Sequence, residues 1–241
     1  KNRHPTSADM SYFVITSNQA RHIQFLNTLR MHLPIDQIIV VPKQNRDKNF
    51  TKQERRFWPG ASGIGSMYLM CSKSHLKDDM VLTSLRRKKP KVGFVFGAPL
   101  LPQEIYSIPE YGCVNIHTGL VQHYRGVDSS YWAIYEQNFD KIGTTLHYID
   151  RSIDGGDVID QGTVKVTETD TPDKLFFKTC QLGFVMLVDN LQNIINNDVD
   201  RKRLNKRGKL FQTKDMNSDI MEEINLTCKN NIKRFLNENN S

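Results

Sequence analysis

Two short segments carry residue types suited to acyl-group chemistry. One is Asn115-Ile116-His117, and the other is the run Ser152-Ile153-Asp154-Gly155-Gly156-Asp157. Apolar and polar residues alternate around Asn115, which predicts a short strand in which Asn115 and His117 share one face. An amide can stabilise negative charge on an oxygen atom, an imidazole can move a proton, and a carboxylate can orient the imidazole. We therefore expect the Asn115 amide and the His117 imidazole to share one site with a carboxylate of the second run.

The start of the chain predicts a scaffold for these residues. Residues 11–16 form a strongly β run, residues 20–33 show helical spacing of apolar side chains, and residues 37–41 form a second buried strand. This order is a βαβ unit, and βαβ crossovers imply a parallel sheet. The sequence therefore predicts the α/β class, with a mostly parallel sheet flanked by helices.

The rest of the chain continues this pattern. It predicts further strands at 92–97, 113–118 and 144–150, and a β-rich stretch at 157–166 with an antiparallel partner. A surface loop is expected over 42–65, with a short helix near 53–57. Longer helices are predicted at 74–87, 129–137, 171–196 and 218–236.

Composition narrows the class of protein. The chain has 241 residues, of which 38% are hydrophobic, enough for a sizeable core. Its apolar runs are too short to cross a bilayer, no segment has the order of a signal peptide, and residues 1–9 form a polar lead-in. The four cysteines have no metal-ligand spacing, which predicts free thiols and no metal site in a cytoplasmic protein.

The formal net charge of +7 comes largely from two basic runs, at 86–91 and 201–209. Such runs are usually solvated, but they also suit a polyanion or the steering of a small phosphorylated substrate. Neither run is interleaved with aromatic residues, and no nucleic-acid-binding signature is present. Nucleic acid is therefore not the expected partner.

An ordered series of landmarks over residues 93–161 resembles the folate-dependent formyltransferases. That family includes glycinamide ribonucleotide transformylase, methionyl-tRNA formyltransferase and the sugar N-formyltransferases. The resemblance implies a Rossmann-like formyltransferase fold and the transfer of a formyl group from 10-formyltetrahydrofolate to an amine. After the strand at 92–97 the landmarks are Ala98-Pro99-Leu100-Leu101-Pro102, Asn115-Ile116-His117, Tyr124-Arg125-Gly126, Trp132-Ala133-Ile134, Gly143-Thr144-Thr145-Leu146-His147 and Ile153-Asp154-Gly155-Gly156-Asp157.

The resemblance also implies roles for particular residues. Asn115, His117 and Asp154 match the family's catalytic set. In the family, folate lies along the strand end before the Asn-x-His element and against the Asp loop. Carried over to this chain, these positions give the cofactor contacts Ala98, Leu100, Leu101, Ser152, Ile153 and Asp154.

Substrate contacts are implied less directly. Ser17 and Asn18 follow the first strand, where the transformylase holds a substrate phosphate, although its glycine-rich sequence is absent. Arg125 is expected near the substrate, and a solvated structural arginine is the alternative. The family often reads His-x-Ser-Leu-Leu-Pro where this chain has His117-Thr118-Gly119-Leu120, so the substrate is open while the reaction is implied.

Several substrates compete. The expected one is the amine of a nucleotide-linked amino-deoxy sugar. Methionyl-tRNA formyltransferase normally carries a C-terminal barrel domain, and the roughly eighty residues after Gln161 are too few for it. A glycinamide ribonucleotide enzyme and a non-catalytic polyanion-binding module also compete. The expected organisation is a catalytic domain at 10–200 and a basic extension at 201–241, whose final helix could build a homodimer.

Overall fold

The computed structural model describes residues 10–44, 46–65 and 67–239, so the predicted lead-in at 1–9 lies outside the described residues. Strands and helices alternate along the first half of the chain. The strands are β1 (Tyr12–Thr16), β2 (Gln37–Val40), β3 (Leu69–Met70), β4 (Val92–Val95), β5 (Cys113–His117), β6 (Tyr124–Gly126), β7 (Gly143–Tyr148), β8 (Val158–Thr163) and β9 (Lys209–Phe211). The helices are α1 (Ala20–Arg30), α2 (Lys48–Phe57), α3 (Asp79–Arg87), α4 (Gln103–Tyr106), α5 (Ser129–Tyr135), α6 (Pro172–Ile195) and α7 (Ser218–Asn239).

Seven of these strands form a mixed sheet in the order β3-β2-β1-β4-β5-β7-β8. Strand β1 pairs in parallel with β2 and β4, and β4 pairs in parallel with β5, where Val95 lies opposite Asn115. Strands β7 and β8 form an antiparallel pair. This arrangement confirms the predicted α/β class and gives the β-rich stretch at 157–166 its antiparallel partner.

The parallel strands are buried, as expected when helices cover both faces of a sheet. Every residue of β1 and of β4 is buried. Because both faces are covered, these strands read as continuous apolar runs rather than as alternating ones, which is why the sequence predicts them well.

Some local predictions differ from the structure. The predicted helix at 74–87 is a 3₁₀ segment at Lys73–Lys77 followed by α3. The loop at 42–65 holds a full ten-residue helix, α2, because the Asp47 carboxylate caps it by accepting hydrogen bonds from the Asn49 and Phe50 N–H groups. The short strands β3, β6 and β9 are not predicted, since two or three residues give too little periodicity.

Contacts between Cα atoms divide the described chain into two compact units. The first holds residues up to Asn115, with Tyr148–Arg151 and Leu187–Asp200, and the second holds Ile116–His147, Ser152–Met186 and the residues from Arg201 onward. The predicted boundary at residue 200 cuts the chain once, whereas each of these units is made of several chain segments. That boundary therefore stays a prediction.

The first unit has a dense apolar core between its strands and α3. Its central members are Phe13, Ile15, Ile39, Leu85 and Val95, all at most 3% exposed. Leu101, which follows β4 by six residues, belongs to the same core. The loop after β4 is therefore anchored at Leu101.

The second unit includes a small two-stranded sheet, in which β6 pairs in parallel with β9. The buried Phe211 of β9 stacks on Trp132 of α5, with ring centroids 4.2 Å apart. Gly126 of β6 has φ +86° and a side chain there would overlap the Phe211 carbonyl oxygen. Glycine at this position thus permits the close pairing of β6 with β9.

All four cysteines are free thiols. None of the helices in the part of the chain that the structure describes combines the length and apolar character needed to span a bilayer.

Candidate active site

His117 is the last residue of β5, and its imidazole is buried in the second unit. Its Nε2 atom lies 3.0 Å from the Tyr124 carbonyl oxygen and 3.2 Å from the Ser129 Oγ atom. Its Nδ1 atom lies 3.4 Å from the Asp154 Oδ2 atom. Both ring nitrogens therefore face oxygen atoms of the protein, and the ring is held from two sides.

Asp154 is fixed by three groups of the second unit. Its Oδ2 atom accepts a hydrogen bond from the Gly126 N–H at 2.8 Å and faces His117, while its Oδ1 atom lies 3.6 Å from the His147 Nε2 atom. The backbone of Asp154 has φ +46°, a left-handed conformation that few residues other than glycine adopt. A conformation of this kind is kept only where surrounding contacts enforce it.

These contacts determine the charge of the carboxylate. Burial alone raises the pKa of Asp154, but its interactions with His117 and with the nearby His147 imidazole and the hydrogen bond from the Gly126 N–H together outweigh burial and lower that pKa well below its usual range. Asp154 is therefore ionised at neutral pH, inside a site where its side chain is only 15% exposed.

The pKa of His117 is also lowered, but here burial is the main cause. Burial lowers the pKa of His117, and the charges of His147 and Arg125 lower it further, whereas Asp154 and the Tyr124 carbonyl oppose the shift. Burial dominates, so the ring is neutral at neutral pH. A neutral imidazole beside an ionised carboxylate can take up a proton and keep it in a favourable electrostatic position.

His147 is the functional residue that the sequence analysis missed. It lies in β7, where the pairing with β8 shifts between Leu146 and His147, and such a bulge changes the direction of a side chain. The sequence did carry a signal, because Gly143 to His147 was one of the family landmarks. A polar residue in a buried strand indicates a polar partner, and for His147 that partner is Asp154.

Asn115 lies two residues before His117 in β5, so strand geometry directs both side chains to the same face. It is half-buried, whereas its neighbours Val114 and Ile116 are buried. His117 is buried as well, so burial does not alternate along this strand and the shared face of Asn115 and His117 stays a prediction.

The predicted cofactor contacts lie in both units. In the first unit Ala98 is half-buried, Leu101 is buried in the core, and Leu100 is 58% exposed. In the second unit Ser152 and Ile153 are half-buried and precede Asp154. An exposed leucine next to a buried one leaves an apolar surface on the loop after β4.

The predicted substrate contacts are in different surroundings. In the first unit Ser17 is buried and donates to the Asn18 Oδ1 atom, which also accepts from the Lys43 N–H at 3.1 Å. In the second unit the Arg125 Nε atom donates to the Gly208 carbonyl and the Nη1 atom to the Ile153 carbonyl. The guanidinium of Arg125 is thus engaged with the main chain beside Asp154.

The chain is similar to known proteins in both sequence and structure. Residues 12–191 match the family described as formyl transferase. A sugar N-formyltransferase from Shewanella has a similar structure, with a TM-score of 0.65 and 17% identity over 91% of this chain and 87% of that one. An N-formyltransferase from Helicobacter canadensis, solved with folinic acid and dTDP-3-aminofucose, gives a TM-score of 0.57 and 20% identity over 86% of this chain and 72% of that one.

Among proteins compared by sequence, methionyl-tRNA formyltransferase from Ehrlichia canis is 38% identical over 97 residues. The match covers 40% of this chain, and the chain spans 32% of the length of that relative.

The fold and the buried pair define an α/β protein with an imidazole and a carboxylate beyond the carboxyl end of a parallel strand, where such sheets place their ligand sites. Because the family match covers most of the chain, this protein belongs to the formyl transferase family. The predicted family and formyltransferase fold are confirmed.

Proposed function

We propose that this protein is an N-formyltransferase that moves a formyl group from 10-formyltetrahydrofolate to the amine of a nucleotide-linked amino-deoxy sugar. The observation that carries the proposal is the buried pair of His117 and Asp154, whose atoms approach to 3.4 Å. An ionised carboxylate beside a neutral imidazole is a suitable arrangement for moving a proton during the attack of an amine.

The chemistry requires one bond to form and one to break. The donor supplies a formyl group bound to nitrogen; the acceptor amine forms a bond to the formyl carbon, the bond to the donor nitrogen breaks, and the amine proton passes to that nitrogen. We propose that His117 holds this proton while Asp154 stabilises the charged ring. The Asn115 amide, on the same strand face, donates to the formyl oxygen as negative charge develops there.

The loop after β4 fits the donor in its chemistry. The exposed side chain of Leu100 offers an apolar surface for a flat ring, and Leu101 anchors the loop from below. Leu100 would pack against the ring above the buried Leu101, while Ala98 offers main-chain groups for its polar edge. Ser152 and Ile153 stay proposed contacts on the strength of the family resemblance.

The sugar substrate is supported by two structural neighbours. The Shewanella protein is a sugar N-formyltransferase by description, and the Helicobacter canadensis protein was solved with an amino-sugar nucleotide. Ser17 and Asn18 are proposed to contact the acceptor, whereas the guanidinium of Arg125, also predicted as a substrate contact, is engaged with main-chain carbonyls. The cytoplasmic location and the homodimer stay predictions.

Methionyl-tRNA is the second candidate acceptor, since the sequence relatives carry that name. One surface feature also favours it. Helix α2 and the segment before it line an open cavity of about 490 Å³ with five basic side chains and Thr51. The basic residues are Arg46, Lys48, Lys52, Arg55 and Arg56.

One experiment separates the candidates. The protein is incubated with 10-formyltetrahydrofolate and, in turn, a dTDP-linked amino sugar, glycinamide ribonucleotide and methionyl initiator tRNA, and mass spectrometry detects the added formyl group. We expect the amino sugar to be formylated. If only another amine is formylated, that amine replaces the amino sugar as the proposed acceptor. If no amine is formylated, the remaining candidate is a non-catalytic module that binds polyanions.

The tRNA arm has its own control. If tRNA is the acceptor, its affinity should fall steeply with salt, because basic groups release counterions when they bind phosphates. The double variant Lys52→Glu/Arg55→Glu should then weaken binding more than Arg86→Glu/Arg87→Glu, which carries the same charge change in the basic run 86–91. A flat salt response excludes tRNA.

His147 should also support the reaction, although we do not expect it to contact the substrate. Replacing it with leucine removes a partner of Asp154, and we expect kcat to fall about tenfold, equivalent to ~1.4 kcal/mol. Steady-state kinetics with His123→Leu as the matched control would test this. Equal rates for His147→Leu and the wild type would show that two contacts are enough to hold Asp154.

A further inference from the structure

Strand β9 lies outside the region that matches the family, which ends at residue 191, yet it contacts the scaffold of the site. The Lys209 N–H donates to the His123 carbonyl, and the Gly208 N–H donates to the Val121 carbonyl. The Val127 N–H in turn donates to the Phe211 carbonyl. Residues 207–211 therefore run along the whole segment 121–127.

The segment 121–127 supplies main-chain partners to both members of the buried pair. The Tyr124 carbonyl faces the His117 Nε2 atom, and the Gly126 N–H donates to the Asp154 carboxylate. Any shift of this segment would change both contacts at once. Its position is fixed on one side by α5 and on the other by β9, with which β6 pairs.

Arg125 joins these parts directly. Its Nε atom donates to the Gly208 carbonyl at 2.9 Å, and its Nη1 atom donates to the Ile153 carbonyl at 3.1 Å. One rigid guanidinium thus connects Gly208, the residue directly before β9, with Ile153, the residue directly before Asp154. Arg207 adds a contact from its Nη2 atom to the Gly155 carbonyl on the other side of Asp154.

We propose that Arg125 is a positioning residue, which uses the C-terminal residues 207–211 as a support to hold the Ser152–Gly155 loop and, through it, the Asp154 carboxylate. The proposal deepens the proposed function, and its catalytic part rests on it. In this proposal Arg125 binds main-chain carbonyls of the site and does not contact the acceptor substrate. It also gives residues beyond the family match a role in the geometry of the site.

Two features explain why such a support is needed. Asp154 is in a left-handed conformation, which a free loop would leave. The guanidinium donates from a planar fork to two acceptors at once, which a lysine cannot do with the same geometry. The fork therefore keeps the Gly208 and Ile153 carbonyls at a fixed separation, and the strained Asp154 directly follows Ile153.

Kinetics distinguish positioning from substrate binding. We expect Arg125→Met to lower kcat about a hundredfold, as displacement of a reacting group by about 1 Å can do. The KM of the acceptor should stay within about threefold, because a positioning residue makes no contact with the bound acceptor. Arg125→Lys should recover only part of the rate, since the charge returns without the fork. Arg203→Met, which changes an exposed arginine of the basic run 201–209, is the matched control.

Hydrogen exchange tests the positioning without reference to activity. The amides of residues 152–156 should exchange faster in Arg125→Met than in Arg203→Met, because a supporting contact of the loop is lost. Unchanged exchange would overturn the proposal, whatever the enzyme does. Faster exchange with unchanged kcat would overturn the catalytic part, and a rise in KM at constant kcat would assign Arg125 to the substrate. An absence of formyl transfer in the wild type would contradict the proposed function alone.

Discussion

His117→Ala should abolish formyl transfer, with kcat lower by about 10³-fold, within the range for loss of a general acid–base group. The ring is the only part of the residue that faces Asp154, and alanine leaves no atom to take up the amine proton. The variant should be measured in single-turnover reactions with the acceptor that the amine panel identifies. Turnover near that of the wild type would refute the assignment of His117.

The control must separate chemistry from folding. Because the imidazole is buried, alanine leaves a cavity and deprives the Tyr124 carbonyl of a partner. His117→Gln fills more of that space and keeps an amide N–H able to reach the carbonyl. Thermal unfolding and circular dichroism of both variants, beside His123→Ala, should show a folded protein in each case, while only the His117 variants lose activity.

Asp154→Asn should have the second-largest effect, about a hundredfold or more in kcat. Asparagine is, after glycine, among the residues best able to keep a left-handed backbone, so the change removes the charge and spares the loop. Without the carboxylate the pKa of His117 falls further, because Asp154 is the group that most raises it. The ring then holds the amine proton less well, which the pH profile of kcat measures.

The same variant predicts a change in stability with pH. The folded pKa of Asp154 is lower than the unfolded value of about 3.9, so its ionised form stabilises the fold above that pH. That contribution is lost as the pH falls through the lower, folded pKa. Denaturant unfolding between about pH 5 and pH 2 should show a weaker acid dependence in Asp154→Asn than in Asp157→Asn, the matched change in the same loop. Equal dependence in the two variants would mean that Asp154 is not held as an ion.

Much of the fold could be predicted because its signal is local. The continuous apolar runs of β1 and β4 and the helical spacing in α6 are visible in the sequence itself. The pairing of β6 with β9 is not, since it joins segments of three residues that are far apart in the chain. Nothing in the periodicity of Lys209-Leu210-Phe211 indicates which partner it takes.

The residues of the site likewise include some that the sequence predicts and some that it does not. His117 and Asp154 could be proposed from their residue types and from the ordered landmarks, and the structure brings them together. His147 could be placed only once the bulge in β7 was known, because alternation alone does not give the direction of its side chain. The main-chain contacts of Arg125 depend on Gly208, whose position no local pattern encodes.

The hydrogen bond between Arg125 and Gly208 joins residues 83 positions apart. During synthesis on a ribosome the acidic loop therefore emerges well before the strand that supports it. At about 5–20 residues per second, the 54 residues from Asp154 to Gly208 take roughly 3–11 s. If Arg125 positions the loop as proposed, the nascent chain passes through this interval with the strained loop unsupported, and the site is complete only after the segment around Phe211 has left the exit tunnel.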